Sequence, residues 1–197
     1  MAPMRATDVL RMLLKGSFGM LEERIGAARD DEWRGRALPG TSKPGFIIWH
    51  CARILDWTIH SAVQGVPEVA DSERWRERFP REAAYGAGIP APLADQVADS
   101  TPARVVAEYL VEVRTPALAW FDLQDDRSLE AVPALQEHQA MRPGYLDPSI
   151  WAEVADLNGL PAWQLLMRPA GAHIRRHMGE YDLLVEALRA GAATPRG

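Results

Sequence analysis

Two histidines near the carboxyl end of the chain have the spacing of a metal-binding pair. His173 and His177 are four residues apart in a segment with helical periodicity, so one helical turn places both imidazoles on the same face. His50 is the candidate third ligand, because it belongs to an apolar helical stripe and a buried imidazole needs a partner. Three neutral imidazoles leave coordination positions open, which is typical of catalytic metal sites. The sequence therefore predicts one divalent metal ion bound by these three histidines.

Structural roles are the alternative for the same side chains. Two histidines four residues apart also arise by chance on a helix, and a lone histidine on an apolar face is commonly a hydrogen-bonded core residue. Glu180 and Asp182 lie close to His177 in the sequence. Either they orient a ligand imidazole or act as a base, or they belong to a solvated helix face.

The single cysteine and the other two histidines are poorer ligands. Cys51 directly follows His50, and one residue turns a helix by about 100°, so its thiol is predicted to face away from the metal as a core group. His60 lies roughly 80° from the face of His50. His138 falls in a polar segment and is predicted to be a surface residue.

Four main helices are predicted to position these groups. Apolar residues recur at three- and four-residue intervals in segments that begin near residues 7, 46, 101 and 161, and no strand pattern of similar quality is present. Thr101 is predicted to cap the third helix, with Pro102 at its first position. Pro116 is predicted to kink that helix, and Pro169 with Gly171 to break or bend the fourth. The predicted fold class is all-α, a four-helix bundle.

Long connections separate the four helices, and we expect them to shape a pocket. The segment 29–45 is predicted to be a loop, and 66–100 a connection with one short helix near Arg74. Because long loops in compact domains are often functional, this segment and 125–160 are candidate walls of a pocket above the metal. Trp49 and Trp57 bracket His50 and are candidate walls too; the alternative is that they are ordinary core residues.

Composition bounds the class of protein. The 197 residues carry 22 Lys and Arg against 27 Asp and Glu, a net charge of −5, which argues against a nucleic-acid-binding face. The length suits one domain, assigned as residues 1–197. The sequence has one cysteine, no apolar window of membrane-spanning length and no export-signal pattern. We therefore expect a soluble cytoplasmic protein that binds neither nucleic acid nor membrane.

The histidine motifs resemble those of the DinB/YfiT-like metalloenzyme superfamily. The run 48–57, with His50 among aromatic residues, is similar to the second-helix motif of that family. The run 173–180 reads HIRRHMGE and resembles the family's last-helix motif HxxxHxGE. The run 101–103 is similar to the usual start of its third helix. The resemblance covers roughly residues 5–190, and the long connections and the two helix-interrupting prolines depart from a minimal member.

This resemblance implies a DinB-like bundle with up-down-down-up topology that is often a homodimer. It implies a divalent ion, zinc first and nickel or iron otherwise, bound by His50, His173 and His177. Characterised relatives include mycothiol-dependent maleylpyruvate isomerase and bacillithiol and mycothiol S-transferases. The expected function is therefore that of a metal-dependent thiol S-transferase, isomerase or hydrolase whose substrate is a small molecule, such as a low-molecular-weight thiol. The alternative is a non-catalytic, metal-stabilised stress-response or binding module.

Overall fold

The computed structural model describes residues 5–193, and within that range the chain is all-helical, without β-strands. The α-helices, in chain order, are α1 (Ala6–Ala27), α2 (Asp30–Arg34), α3 (Pro44–Asp56), α4 (Glu73–Arg76), α5 (Ala91–Ser100), α6 (Ala103–Asp122), α7 (Asp126–Leu129), α8 (Leu135–Ala140), α9 (Pro148–Val154), α10 (Ala162–Met167) and α11 (Ile174–Ala193). Wider π-helical turns follow α3 (Trp57–Gln64) and join α10 to α11 (Arg168–His173). Single 3-10 turns occupy Val69–Asp71, Arg81–Ala83 and Ala155–Leu157. No helix in the described range is long and apolar enough to cross a membrane.

Helix α3 is the centre of the structure. Every residue from Pro44 to Asp56 is buried, because the helix contacts α1, α2, α5, α6 and α11. A helix that is covered all round has no solvated face, so its polar side chains must find partners inside the protein. His50, Arg53 and Asp56 are all in this position.

Helices α1 and α6 pack along each other and complete the core. The apolar positions of α1 recur at three- and four-residue intervals and are buried: Leu10, Leu14, Phe18, Leu21 and Ile25. The other face of α1 is solvated, which is the pattern of a helix lying on a core.

The last long helical unit passes through a proline without ending. The sequence predicts a break or bend at Pro169 and Gly171; the structure places both residues in the π-helical turns between α10 and α11. Because proline lacks a backbone N–H, a local widening of the turn is compatible with it. Gly171 is needed for packing, since a Cβ there would lie 2.5 Å from the Leu13 side chain of α1. Helix α6 likewise continues through Pro116.

Two connections contain more helix than the sequence pattern indicates. The predicted loop 29–45 includes α2, whose Trp33 is buried and donates its indole N–H to the Thr101 carbonyl at 2.9 Å. The segment 66–100 contains α4 near Arg74, as predicted, and also α5. The prediction that Thr101 caps α6 is wrong: the N-cap residue is Pro102, and the Thr101 hydroxyl is buried.

Candidate metal centre

Three imidazoles from two distant parts of the chain meet at one point. His50 lies on α3, His173 ends the π-helical turns and His177 lies in the first turns of α11. One nitrogen from each ring lies within 4.8 Å of the others, and Nε2 of His50 is 3.1 Å from Nε2 of His173. The helical spacing of the sequence predicts that these three histidines lie on inward faces, and packing of α3 against α11 brings them together.

Hydrogen bonds on the far side of two rings leave their Nε2 atoms free to bind a metal. The His50 Nδ1–H donates to the Tyr85 carbonyl at 2.6 Å. The His177 Nδ1–H donates to the Glu180 carboxylate at 2.8 Å. Such partners are the usual support of metal-binding histidines, because they fix the tautomer and the ring orientation. Glu180 therefore orients a candidate ligand, whereas Asp182 pairs with Arg24 at 2.5 Å.

The donor set and its spacing fit a divalent transition metal. Imidazole nitrogens bind zinc at about 2.0–2.1 Å, so two of them at a tetrahedral angle lie about 3.3 Å apart. The observed separation of 3.1 Å between two of the nitrogens is close to this value. The three-histidine group can thus hold a metal ion, and three protein ligands leave a coordination position for another molecule.

The surroundings keep two of the imidazoles neutral, the form that binds metal. The pKa of His50 is lowered to about 3, mainly by burial and to a smaller extent by the proximity of His177 and His173. The pKa of His173 is lowered to about 4, mainly by burial and to a smaller extent by the proximity of His177 and Arg176. Metal binding to such groups displaces no proton at neutral pH.

A cavity of about 770 Å³ opens beside the three histidines. Its apolar wall includes Phe46, Ile54 and Trp57 from α3 and the turns that follow it. The segments 66–100 and 125–160 both contribute, the first through residues 85–88 and the second through residues 153, 154, 156 and 157. The prediction that these two segments and Trp57 form the wall is confirmed. Trp49 has another position: it is fully buried against Phe46 and Phe79, so it is a core residue.

Tyr85 and Gly86 are the residues of this wall segment that lie against His50. Ala84 has a φ of +44°, which is strained for a residue with a side chain, and its carbonyl accepts a hydrogen bond from Arg53 Nε at 3.1 Å. Gly86 has a φ of +92°, and a Cβ there would lie 2.9 Å from His50 Nδ1. The sequence pattern of residues 85–88 is too weak to indicate a phosphate-binding loop, and its role in holding the His50 ring was missed.

Substituting Gly86 with alanine is therefore expected to weaken metal binding. The added methyl group would displace His50 or Trp49, each with an atom 2.9 Å from the Cβ position. Displacing His50 weakens its hydrogen bond to the Tyr85 carbonyl, and loss of such outer contacts typically lowers metal affinity about 10–100-fold. Gly144→Ala is the matched control, because Gly144 also has a positive φ of +75° but no atom within 4 Å of its Cβ position. Metal affinity is measured by competition with a chromophoric chelator. Equal affinities for the two variants would contradict this role of Gly86.

A buried charge network lies behind the metal centre, and sequence reasoning missed it. The side chain of Arg53 is 4% exposed and contacts the fully buried carboxylates of Asp56 and Glu68, at 3.2 and 2.8 Å. Its guanidinium also donates to the hydroxyls of Tyr109 and Tyr145, at 2.7 and 3.0 Å. Arg53 thus links the network to the Ala84 carbonyl, one residue before the carbonyl that holds His50. The available signal was a charged pair, three residues apart, inside an otherwise apolar helix.

The carboxylates of this network are satisfied by several donors. Asp56 accepts hydrogen bonds from His60 at 2.7 Å and from the backbone N–H groups of Val69 and Ala70, at 3.0 and 3.1 Å. Burial opposes ionisation of Asp56, yet the His60 hydrogen bond and the Arg53 charge hold its pKa below the ordinary value. Burial raises the pKa of Glu68. His60 is accordingly a partner of Asp56 and lies outside the three-histidine group.

Cys51 and His138 both lie outside the three-histidine group. Cys51 is fully buried, and burial raises the pKa of its thiol, as expected for a core group. His138 is half-buried, because its ring packs on Gly65 and Nδ1 bonds the Ala62 carbonyl at 3.1 Å; the prediction of a surface position is wrong for it.

No family model matches the chain, and no curated protein matches it significantly. The function of the site is therefore inferred from its own geometry and from the motifs of the sequence.

Proposed function

We propose that this chain is a DinB-like metal-dependent enzyme that acts on a low-molecular-weight thiol, as an S-transferase, isomerase or hydrolase. The observation that carries the proposal is the convergence of His50, His173 and His177 at the wall of a large cavity. A purely structural metal site is closed by four protein ligands. This group has three imidazoles and faces open space, as a site that admits a further molecule requires.

The arrangement of the main helices supports the DinB type of four-helix bundle. The long units are α1, α3 with its π-helical turns, α6, and α10 continued into α11. The first ligand lies on the second of these units and the other two on the last, in the order that the motifs imply. Contacts of α3 with both α6 and α11, and of α1 with both α6 and α10, support the proposal of a single bundle.

Zinc is the proposed ion, because three histidine nitrogens and an open position are typical of catalytic zinc, with nickel or iron as alternatives. Such an ion supplies a Lewis acid that lowers the pKa of a thiol or of water. The protein supplies imidazole ligands, holds two of their rings through Tyr85 and Glu180, and surrounds the open side with apolar groups. Cys51 is excluded as a nucleophile, since its thiol is fully buried.

Consumption of a thiol in the presence of an electrophile tests this function. Zinc-reconstituted protein is incubated with bacillithiol and monochlorobimane, and formation of the fluorescent thioether is followed. We expect a rate above that of the reagents alone, which disappears on chelation and in a His177→Ala variant. His138→Ala is the control, because that histidine lies outside the three-histidine group. Equal rates with and without metal in the wild-type protein would favour the non-catalytic, metal-stabilised module.

A further inference from the structure

One cation in the wall of the metal-site cavity has no carboxylate partner in the described part of the chain. Arg176 lines the cavity beside His173 and His177 and is exposed, and its charge contributes to the lowered pKa of His173. Arg168 lies in the same wall but pairs with Asp156 at 2.5 Å. Of these two arginines, Arg176 is the one free to bind an anion.

The other charged groups of the cavity wall are one arginine and two carboxylates. The Arg168 and Asp156 charges cancel, and Glu180 is bonded to His177. The last carboxylate in the wall, Glu153, is exposed and makes no ion pair within residues 5–193; its charge is felt by Tyr85. A divalent ion among neutral imidazoles adds positive charge next to Arg176. An anionic group on the ligand would compensate this charge.

We propose that the substrate is a small thiol that carries a carboxylate, and that Arg176 binds this carboxylate while the thiol sulfur lies at the three-histidine group. The carbon skeleton lies against Phe46, Ile54 and Trp57. This inference rests on the proposed thiol function and adds the charge class of the substrate. Arg176 is a specificity residue, since an arginine–carboxylate contact selects planar anions over neutral isosteres.

Calorimetric titration of the zinc-loaded full chain with two matched thiols tests the assignment. The probes are 3-mercaptopropionate and 3-mercaptopropanamide, which differ in the charge at one end. The wild-type protein should bind the carboxylate about tenfold more tightly than the amide, the effect of one charge-assisted hydrogen-bonded contact. Arg176→Gln should abolish this discrimination. Arg175→Gln should retain it, because Arg175 does not line the cavity and contacts the Gly171 carbonyl instead.

The titrations distinguish failure of the Arg176 assignment from failure of the proposed thiol function. If both thiols bind the wild-type protein equally, or if Arg176→Gln discriminates as the wild type does, the assignment of Arg176 is wrong while the thiol function stands. If neither thiol binds, the proposed thiol function is wrong and the carboxylate assignment falls with it.

Discussion

Replacing His50 with alanine is expected to abolish stoichiometric metal binding. Zinc sites with four protein ligands bind with about 10–16 kcal/mol, so one ligand contributes roughly 3 kcal/mol, more than a hundredfold in affinity. Removing one of three ligands is therefore expected to reduce occupancy from one ion per chain to a small fraction. Elemental analysis after reconstitution with zinc measures occupancy, and far-ultraviolet circular dichroism checks that the chain stays helical.

His177→Ala provides the same test with less risk to the core. The side chain of His177 is 16% exposed, whereas His50 is buried in α3. His138→Ala should retain full occupancy, because that imidazole bonds the Ala62 carbonyl away from the three-histidine group. Absence of metal from the reconstituted wild-type protein, or unchanged occupancy in both ligand variants, would overturn the site.

Replacing Arg53 with methionine is expected to destabilise the fold strongly. The substitution leaves the fully buried carboxylate of Asp56 without its guanidinium partner and leaves Glu68 with Arg142 alone. It also removes a donor from two buried tyrosine hydroxyls. Breaking a buried ion pair from one side costs about 3–5 kcal/mol in the free energy of unfolding. For a chain of this size, such a loss lowers Tm by roughly 6–20 °C. Thermal and urea unfolding of the metal-free protein measure the change.

Arg114→Met is the matched control for this prediction. Arg114 also pairs with a carboxylate, that of Glu22 at 2.7 Å, but its side chain is 43% exposed. An exposed pair contributes about 0–1 kcal/mol, so this variant should unfold near the wild-type temperature. If the two variants lost the same stability, the buried network would not be the stabilising element inferred from its contacts.

Local patterns were sufficient to predict the long helices. The predicted starts near residues 7, 46, 101 and 161 correspond to observed starts at Ala6, Pro44, Ala103 and Ala162, because helical periodicity is a property of neighbouring residues. The short helix α4 near Arg74 was predicted, but α2 was missed. The five residues of α2 show too little periodicity, and they are held by burial of Trp33 against Gly45 and the Thr101 carbonyl.

Residue type and spacing by themselves determined the three candidate ligands. The pair His173 and His177 follows from one helical turn, and His50 from its place on an apolar stripe. The sequence left open whether Glu180 orients a ligand imidazole or belongs to a solvated helix face. In the tertiary structure the Glu180 carboxylate lies 2.8 Å from His177 Nδ1, so it orients that imidazole. The tertiary structure also determines that Trp57, rather than Trp49, lines the cavity, because the two tryptophans lie on different faces of the same helical unit.

Contacts between distant residues could be decided only by the tertiary structure. The Tyr85 carbonyl that holds His50 is 35 residues away in the chain, and the Arg142 contact with Glu68 in the charge network spans 74 residues. Neither separation leaves a periodic signal. Gly86 illustrates what the sequence cannot predict. The sequence shows only a glycine in a long connection, whereas its positive φ and the short distance from its Cβ position to His50 arise when the loop packs on α3. The sequence thus determined which side chains can bind a metal, and chain packing determined how their rings are oriented and what surrounds them.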